Sequence, residues 1–146
     1  MMSRLLAGLF LAAIAAGASA QQLAVQQQDG LRFVTGGVGL EEREALKDMR
    51  GDFNVRLTFA VKGTGAYVAD VDVAIADAKG MSVLKTMSDG PKLYAELAPG
   101  KYTVKATFSG KTQTKRISVG KMGATEATFY WNDPSAREMW GTKRSG

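Results

Sequence analysis

The segment Phe53-Asn54-Val55-Arg56-Leu57-Thr58-Phe59-Ala60-Val61 decides the fold, because its large apolar residues fall on every second position. Successive side chains of a strand point to opposite faces, so this rhythm predicts a strand with one face in a core and the other toward solvent. Gly63-Thr64-Gly65 breaks the pattern, and Val71, Val73 and Ile75 resume it with Asp70 and Asp72 facing out. Asp77-Ala78-Lys79-Gly80 predicts a hairpin leading to Val83-Leu84. Ser88-Asp89-Gly90-Pro91 then turns the chain into Leu93, Ala95 and Leu97, and Pro99-Gly100 turns it into Tyr102, Val104, Ala106 and Phe108. A loop around Ser109-Gly110 precedes Ile117 and Val119, and Gly120 to Gly123 precedes Ala127, Phe129 and Trp131. Short period-two segments at intervals of roughly 10 residues, each closed by Gly, Pro, Asp or Asn, are the pattern of an antiparallel β-sandwich of about seven strands.

Upstream of this region, Leu31-Arg32-Phe33-Val34 predicts a short strand stopped by Gly36-Gly37. One amphipathic helix is expected over Glu41 to Arg50, with Leu40, Ala45, Leu46 and Met49 as its apolar stripe. Glu41, Glu42 and Glu44 at its start and Lys47 and Arg50 at its end suit the helix dipole. Glu44 and Lys47 stand one turn apart and are expected to pair, and Gly51 is placed for a left-handed cap. Gln21 to Asp29, with Gln26-Gln27-Gln28, is too polar to pack and reads as a flexible lead-in. Residues 132–146 read as a mobile, basic tail.

The first 20 residues read as a secretory signal peptide. Arg4 precedes an apolar run from Leu5 to Ala16, and Gly17-Ala18-Ser19-Ala20 fits cleavage before Gln21. The run is shorter than the roughly 20 apolar residues that span a bilayer, and no cysteine follows to carry a lipid. Removing 20 of 146 residues leaves 126, enough for one domain with its own core and no need of disulfides. Export without cysteine fits a bacterial periplasm, with full secretion as the alternative. Losing Arg4 leaves 18 basic residues against 14 acidic ones. That mild excess favours anionic envelope polymers as partners and falls short of the dense basic footprint of a nucleic-acid binder.

The stretch Asp89-Gly90-Pro91-Lys92-Leu93-Tyr94-Ala95-Glu96-Leu97-Ala98-Pro99-Gly100-Lys101-Tyr102-Thr103-Val104 resembles the carboxypeptidase regulatory-like domains, whose transthyretin-like sandwich is shared with the B-type repeats of Gram-positive adhesins. There a Leu-x-Pro-Gly-x-Tyr-x-Val turn joins two core strands. Ala69-Asp70-Val71-Asp72-Val73 followed by Asp77-Ala78-Lys79-Gly80 is similar to an earlier part of that pattern. The likeness covers about Val55 to Val119 and implies a transthyretin-like or Ig-like sandwich. The full mature length resembles small exported proteobacterial proteins with one such domain, in which a Val-Thr-Gly-Gly segment and a short helix precede the sandwich, as Val34 to Arg50 do here. The likeness implies no activity.

Histidine and cysteine are both absent, which removes imidazole bases, thiolate nucleophiles and soft metal ligands. The transthyretin-like hydrolases of urate breakdown depend on histidines and a Tyr-Arg-Gly-Ser ending, whereas this chain ends Lys143-Arg144-Ser145-Gly146. An isopeptide bond like that of the adhesin repeats would use Lys62 and Asn132, but Lys105 and Ala106 stand where the family's glutamate would. Asp70 and Asp72 make at most a weak cation pair, since calcium takes six or more oxygens. The chain is therefore expected to be non-enzymatic, without cofactor or metal.

Two surfaces remain as candidate binding sites. One is a basic hairpin carrying Lys101, Lys105, Lys111, Lys115 and Arg116, in which Val104 opposite Ile117 would bring Lys105 beside Arg116. The other is aromatic. Tyr130 and Trp131 point to opposite faces of one strand, so one of them faces away from the core, and Trp140 lies in the tail. The expectation is a cell-envelope accessory or interaction module with a protein or anionic polymer as partner. The alternatives are a carbohydrate-binding module using the aromatics and an unrecognised hydrolase.

Overall fold

The computed structural model describes residues 23–132; the expected signal segment, Trp140 and the expected tail from residue 133 onward lie outside them. Nine strands form two sheets, against the expected seven or so. The first sheet holds β1 (Gln26–Gln28), β2 (Leu31–Gly36), β6 (Lys92–Ala95), β3 (Val55–Val61) and β9 (Thr125–Trp131), side by side in that order. The second holds β5 (Ser82–Ser88), β4 (Val71–Asp77), β7 (Gly100–Phe108) and β8 (Lys111–Val119). Neighbours are antiparallel except β3 and β9, which run parallel. That parallel pair departs from the all-antiparallel expectation.

The alternation in the opening segment does what its period dictates. Val55, Leu57, Phe59 and Val61 enter one core with Leu93 and Phe129 of the same sheet and with Val71, Val73, Ile75, Leu84, Val104 and Ile117 of the other. Leu57, Val73 and Phe129 are fully buried and Tyr102 nearly so. Burying each such side chain stabilises the fold by about 1.5–3 kcal/mol, so the shared interior is what holds the two sheets face to face. Trp131 closes one end of it, in contact with Phe59, Phe108 and Phe129.

The chain passes between the sheets four times, and two of these passages are built from turn residues. Between β5 and β6, the Ser88 hydroxyl donates to the Gly90 carbonyl at 2.7 Å. Gly90 lies so close to Gly36 that a Cβ there would strike the Gly36 carbonyl. Between β6 and β7, the Tyr102 hydroxyl donates to the Ala98 carbonyl at 2.6 Å, pinning Pro99-Gly100. The Asn54 amide brackets the same passage, donating to the Leu97 carbonyl and accepting from the Leu97 N–H.

Helix α1 spans Gly39–Met49 and continues as a single 3-10 turn, Arg50–Asp52. Gly51 therefore sits inside that turn and not in a left-handed cap, and Glu44 and Lys47 form no ion pair. Of the expected stripe, only Leu46 is buried, with Ala45 and Met49 partly so, while Leu40 is exposed. Glu42 reaches back from the first turn to accept the Gly37 N–H at 3.3 Å. Leu46 packs with Val34, Phe53 and Tyr94 in a second small core on the outer face of the five-stranded sheet. No helix among the described residues is long and apolar enough to cross a membrane.

The glutamine run is not a loose lead-in. Gln26–Gln28 pairs with β2 across Asp29-Gly30, where both turn residues have positive φ, 50° and 82°. That is the geometry of a tight two-residue hairpin. Gln28 then bridges the sheets, donating to the Lys85 carbonyl and accepting from the Lys85 N–H on the edge of β5.

Candidate functional site

The outer face of the five-stranded sheet beyond the helix is a grid of three rows, fixed by register. Ala60 of β3 stands opposite Tyr67 on one side and Tyr130 of β9 on the other. Thr58 stands between Lys92 and Thr128, and Arg56 between Tyr94 and Glu126. Directly opposed residues share a face, so small side chains in the central strand leave a groove between two walls. Strand spacing sets those walls about 9.6 Å apart at Cα, and three rows at two residues each give a length of about 13 Å. The cavity measures about 380 Å³.

At its open end, Tyr67 is 54% and Tyr130 51% exposed, and between them Ala60 is covered to 4%. Tyr130 is fixed on β9 and Tyr67 is held beside β3 by a single bridge from its loop, and an aromatic ring loses little freedom on binding. In the middle row, the Lys92 Nζ donates to the Thr58 hydroxyl at 2.9 Å and lies 5.7 Å from the centre of the Tyr67 ring. Burial lowers the Lys92 amine from its usual value, with Glu126 opposing that shift and Arg50 adding to it.

The opposite end is a charge cluster. Glu126 Oε1 accepts from Arg50 at 2.9 Å and from Arg56 at 3.1 Å. Hydrogen bonding from Arg56 is the main cause holding the Glu126 carboxyl below its usual range. Arg56 also donates to the Arg50 carbonyl at 2.9 Å, while its buried Nε has no partner. Tyr94 is buried behind it, and that burial raises its hydroxyl above the usual tyrosine value.

The basic hairpin is arranged differently from expectation. Tyr102 pairs with Ile117 and Gly100 with Val119, two residues out of the anticipated register. Arg116 therefore stands opposite Thr103, diagonal to Lys101 and Lys105, whose partners are Ser118 and Thr114. The cause is the turn: Ser109-Gly110 is a two-residue hairpin with φ of 49° and 76°, pairing Phe108 with Lys111. Lys101, Lys105 and Arg116 line an open hollow of about 720 Å³ on the outer face of the four-stranded sheet. No hydrogen bond or ion pair holds their side chains among the described residues.

Lys111 and Lys115 leave that face. Lys115 projects between the sheets, its Nζ donating to the Thr128 carbonyl at 2.5 Å and lying 5.5 Å from the Phe129 ring centre. The Lys111 carbonyl accepts from the Trp131 indole at 2.9 Å. Trp131 itself is 1% exposed, so it is core and drops out of any binding surface. Of the aromatics singled out from the sequence, Tyr130 alone faces outward among the described residues, Trp140 lying beyond them. The neighbours that set Tyr130 in a groove carry little signal in the sequence. Tyr67 sits in the loop after Gly63-Thr64-Gly65, and nothing in its spacing announces a bridge to Ala60. Thr58 and Lys92 are outward positions of their strands, which the alternation did allow.

Lys62 and Asn132, the isopeptide candidates, are both exposed. Asp70, with φ of 58°, precedes β4 and Asp72 faces out from it. No three His, Cys, Asp or Glu residues gather to hold a metal among the described residues. In comparisons with known proteins, the chain matches no family model and no curated sequence.

Proposed function

We propose that this protein is a non-enzymatic, exported interaction module of the bacterial cell envelope, acting in the periplasm by surface recognition. The observation that carries the reading is the row Tyr67–Ala60–Tyr130: two half-exposed tyrosines, one on β9 and one in a loop bridged to β3, flanking the least bulky position of β3. A transthyretin-like sandwich of the carboxypeptidase regulatory-like kind is the proposed type. The passage Leu97-Ala98-Pro99-Gly100-Lys101-Tyr102 supports it, with its tyrosine bonded back across the turn. The same row favours a second reading, a carbohydrate-binding module, because two half-exposed aromatic side chains flanking a small residue offer apolar surface that suits a sugar ring.

The test is saturable binding of the purified protein to fractionated envelope polymers. Tyr67→Ala and Tyr130→Ala are expected to abolish binding, while Lys101→Ala with Arg116→Ala leaves it intact. The opposite pattern would move the recognition surface to the four-stranded sheet.

A further inference from the structure

Resting on the carbohydrate reading, we infer that the groove along β3 is specific for an oligosaccharide bearing carboxylates, with the Lys92 ammonium as the group that receives the carboxylate and Tyr67 and Tyr130 as the walls that hold a sugar ring over Ala60.

The charge of the groove points to an acidic ligand. Glu126 is already shared by Arg50 and Arg56, which leaves that cluster one positive charge in excess. Lys92 has no carboxylate within ion-pair distance among the described residues; its side-chain hydrogen bond goes to a neutral hydroxyl, that of Thr58. An ammonium drawn partly out of water without a counter-ion is unfavourable unless an anion joins it. The same burial lowers its pKa. Lys92 lies one row from the tyrosine pair, about 6.6 Å along the strands. A carboxylate on a ring seated between the tyrosines, or on the next ring along the groove, reaches it.

The width of the groove points to a glycan. Walls about 9.6 Å apart at Cα admit a slender chain, whereas an α-helix with its side chains is about 10–12 Å across. An extended peptide would add to a sheet edge, but the facing edges of β8 and β9 are bridged by side chains. Side chains of the β8–β9 seam donate to the Lys111, Ser118 and Thr128 carbonyls there. The open basic hollow on the other sheet has Tyr102 as its one aromatic lining residue, and that residue is 8% exposed, which suits loose attraction and not a fixed sugar.

Calorimetric titration of the purified protein with linear oligogalacturonate and oligomannuronate, each beside its carboxyl-reduced counterpart, tests the inference. The acidic oligomers are expected to bind at least tenfold more tightly than the reduced ones. Lys92→Met and Lys92→Gln should each bring the acidic oligomers down to the reduced affinity, and Tyr130→Ala should remove binding of both. Equal binding of acidic and reduced oligomers, or a Lys92 change without effect, overturns the carboxylate specificity and leaves the carbohydrate reading standing. Binding of neither kind, or binding indifferent to Tyr67→Ala and Tyr130→Ala, overturns both. Polyphosphate bound as tightly as the uronates would reduce the effect to bare charge and overturn the specificity too.

Discussion

At the scale of single residues, Lys92 and Tyr102 show how a side chain of ordinary type acquires a special task from its row. Lys92 is an outward strand position, yet Tyr67 and Thr58 surround its amine and burial lowers its pKa. The unfolded chain releases that proton near 10.5, the folded one at lower pH. Between those values the unfolded state binds more protons, so stability rises with pH across that window, and below it the penalty is fully present. Urea unfolding from pH 7 to 10 should therefore show the wild type gaining stability relative to Lys92→Met. A difference that stays flat over that range contradicts the burial. Tyr102 holds the β6–β7 passage through one hydroxyl. Tyr102→Phe keeps the ring and loses the bond, which is expected to cost about 1 kcal/mol in urea midpoint with unchanged slope. Of these roles, only that of Tyr102 could be seen in advance, because Pro99-Gly100 fixes the turn it must close. Lys92 depended on Tyr67, a loop residue that only the folded bridge to Ala60 brings near.

At the scale of elements, what alternation and turn chemistry govern was readable, and what pairing partners govern was not. β3, β4, β7 and β9 follow directly from period two in Val55, Val71, Tyr102 and Phe129 and their neighbours. The β7–β8 register differs by two residues from the expected one because Ser109-Gly110 forms a two-residue turn and not an open loop, and such a turn fixes every pair after it. β1 was missed for a related reason. Glutamine has little drive to pack, but Asp29-Gly30 is among the strongest short hairpin signals, and it outweighs composition here. The helix shows the converse, since its stripe predicted more burial than one docking residue, Leu46, delivers. The amide of Gln28 gives β1 a structural task as a clamp on the edge of β5. Gln28→Ala should lower stability by about 1 kcal/mol and speed hydrogen exchange at the Lys85 amide. Unchanged exchange there would show that the clamp does not protect that edge.

At the scale of the whole molecule, the two sheets share one interior and present two unlike faces. The seam between β8 and β9 is closed by Lys115, Thr125 and Trp131, and the seam between β1 and β5 by Gln28. Closed seams discourage strand addition and leave the faces as the available surfaces. The sequence made both faces visible as alternating outward residues, the basic one through five cations close in number. Folding scatters them: Lys115 turns between the sheets, Lys111 stays at the hairpin end, and three remain on an open surface. The aromatic face gained what the other lost, through the parallel β3–β9 pair that sets Tyr130 beside Ala60. The most direct test of this assignment is a two-dimensional amide NMR titration of the protein with a uronate oligosaccharide. The account predicts saturable shifts at Thr58, Ala60, Tyr67, Lys92 and Tyr130, with Lys101, Lys105 and Arg116 unmoved. Shifts confined to those three, on the opposite sheet, would contradict it.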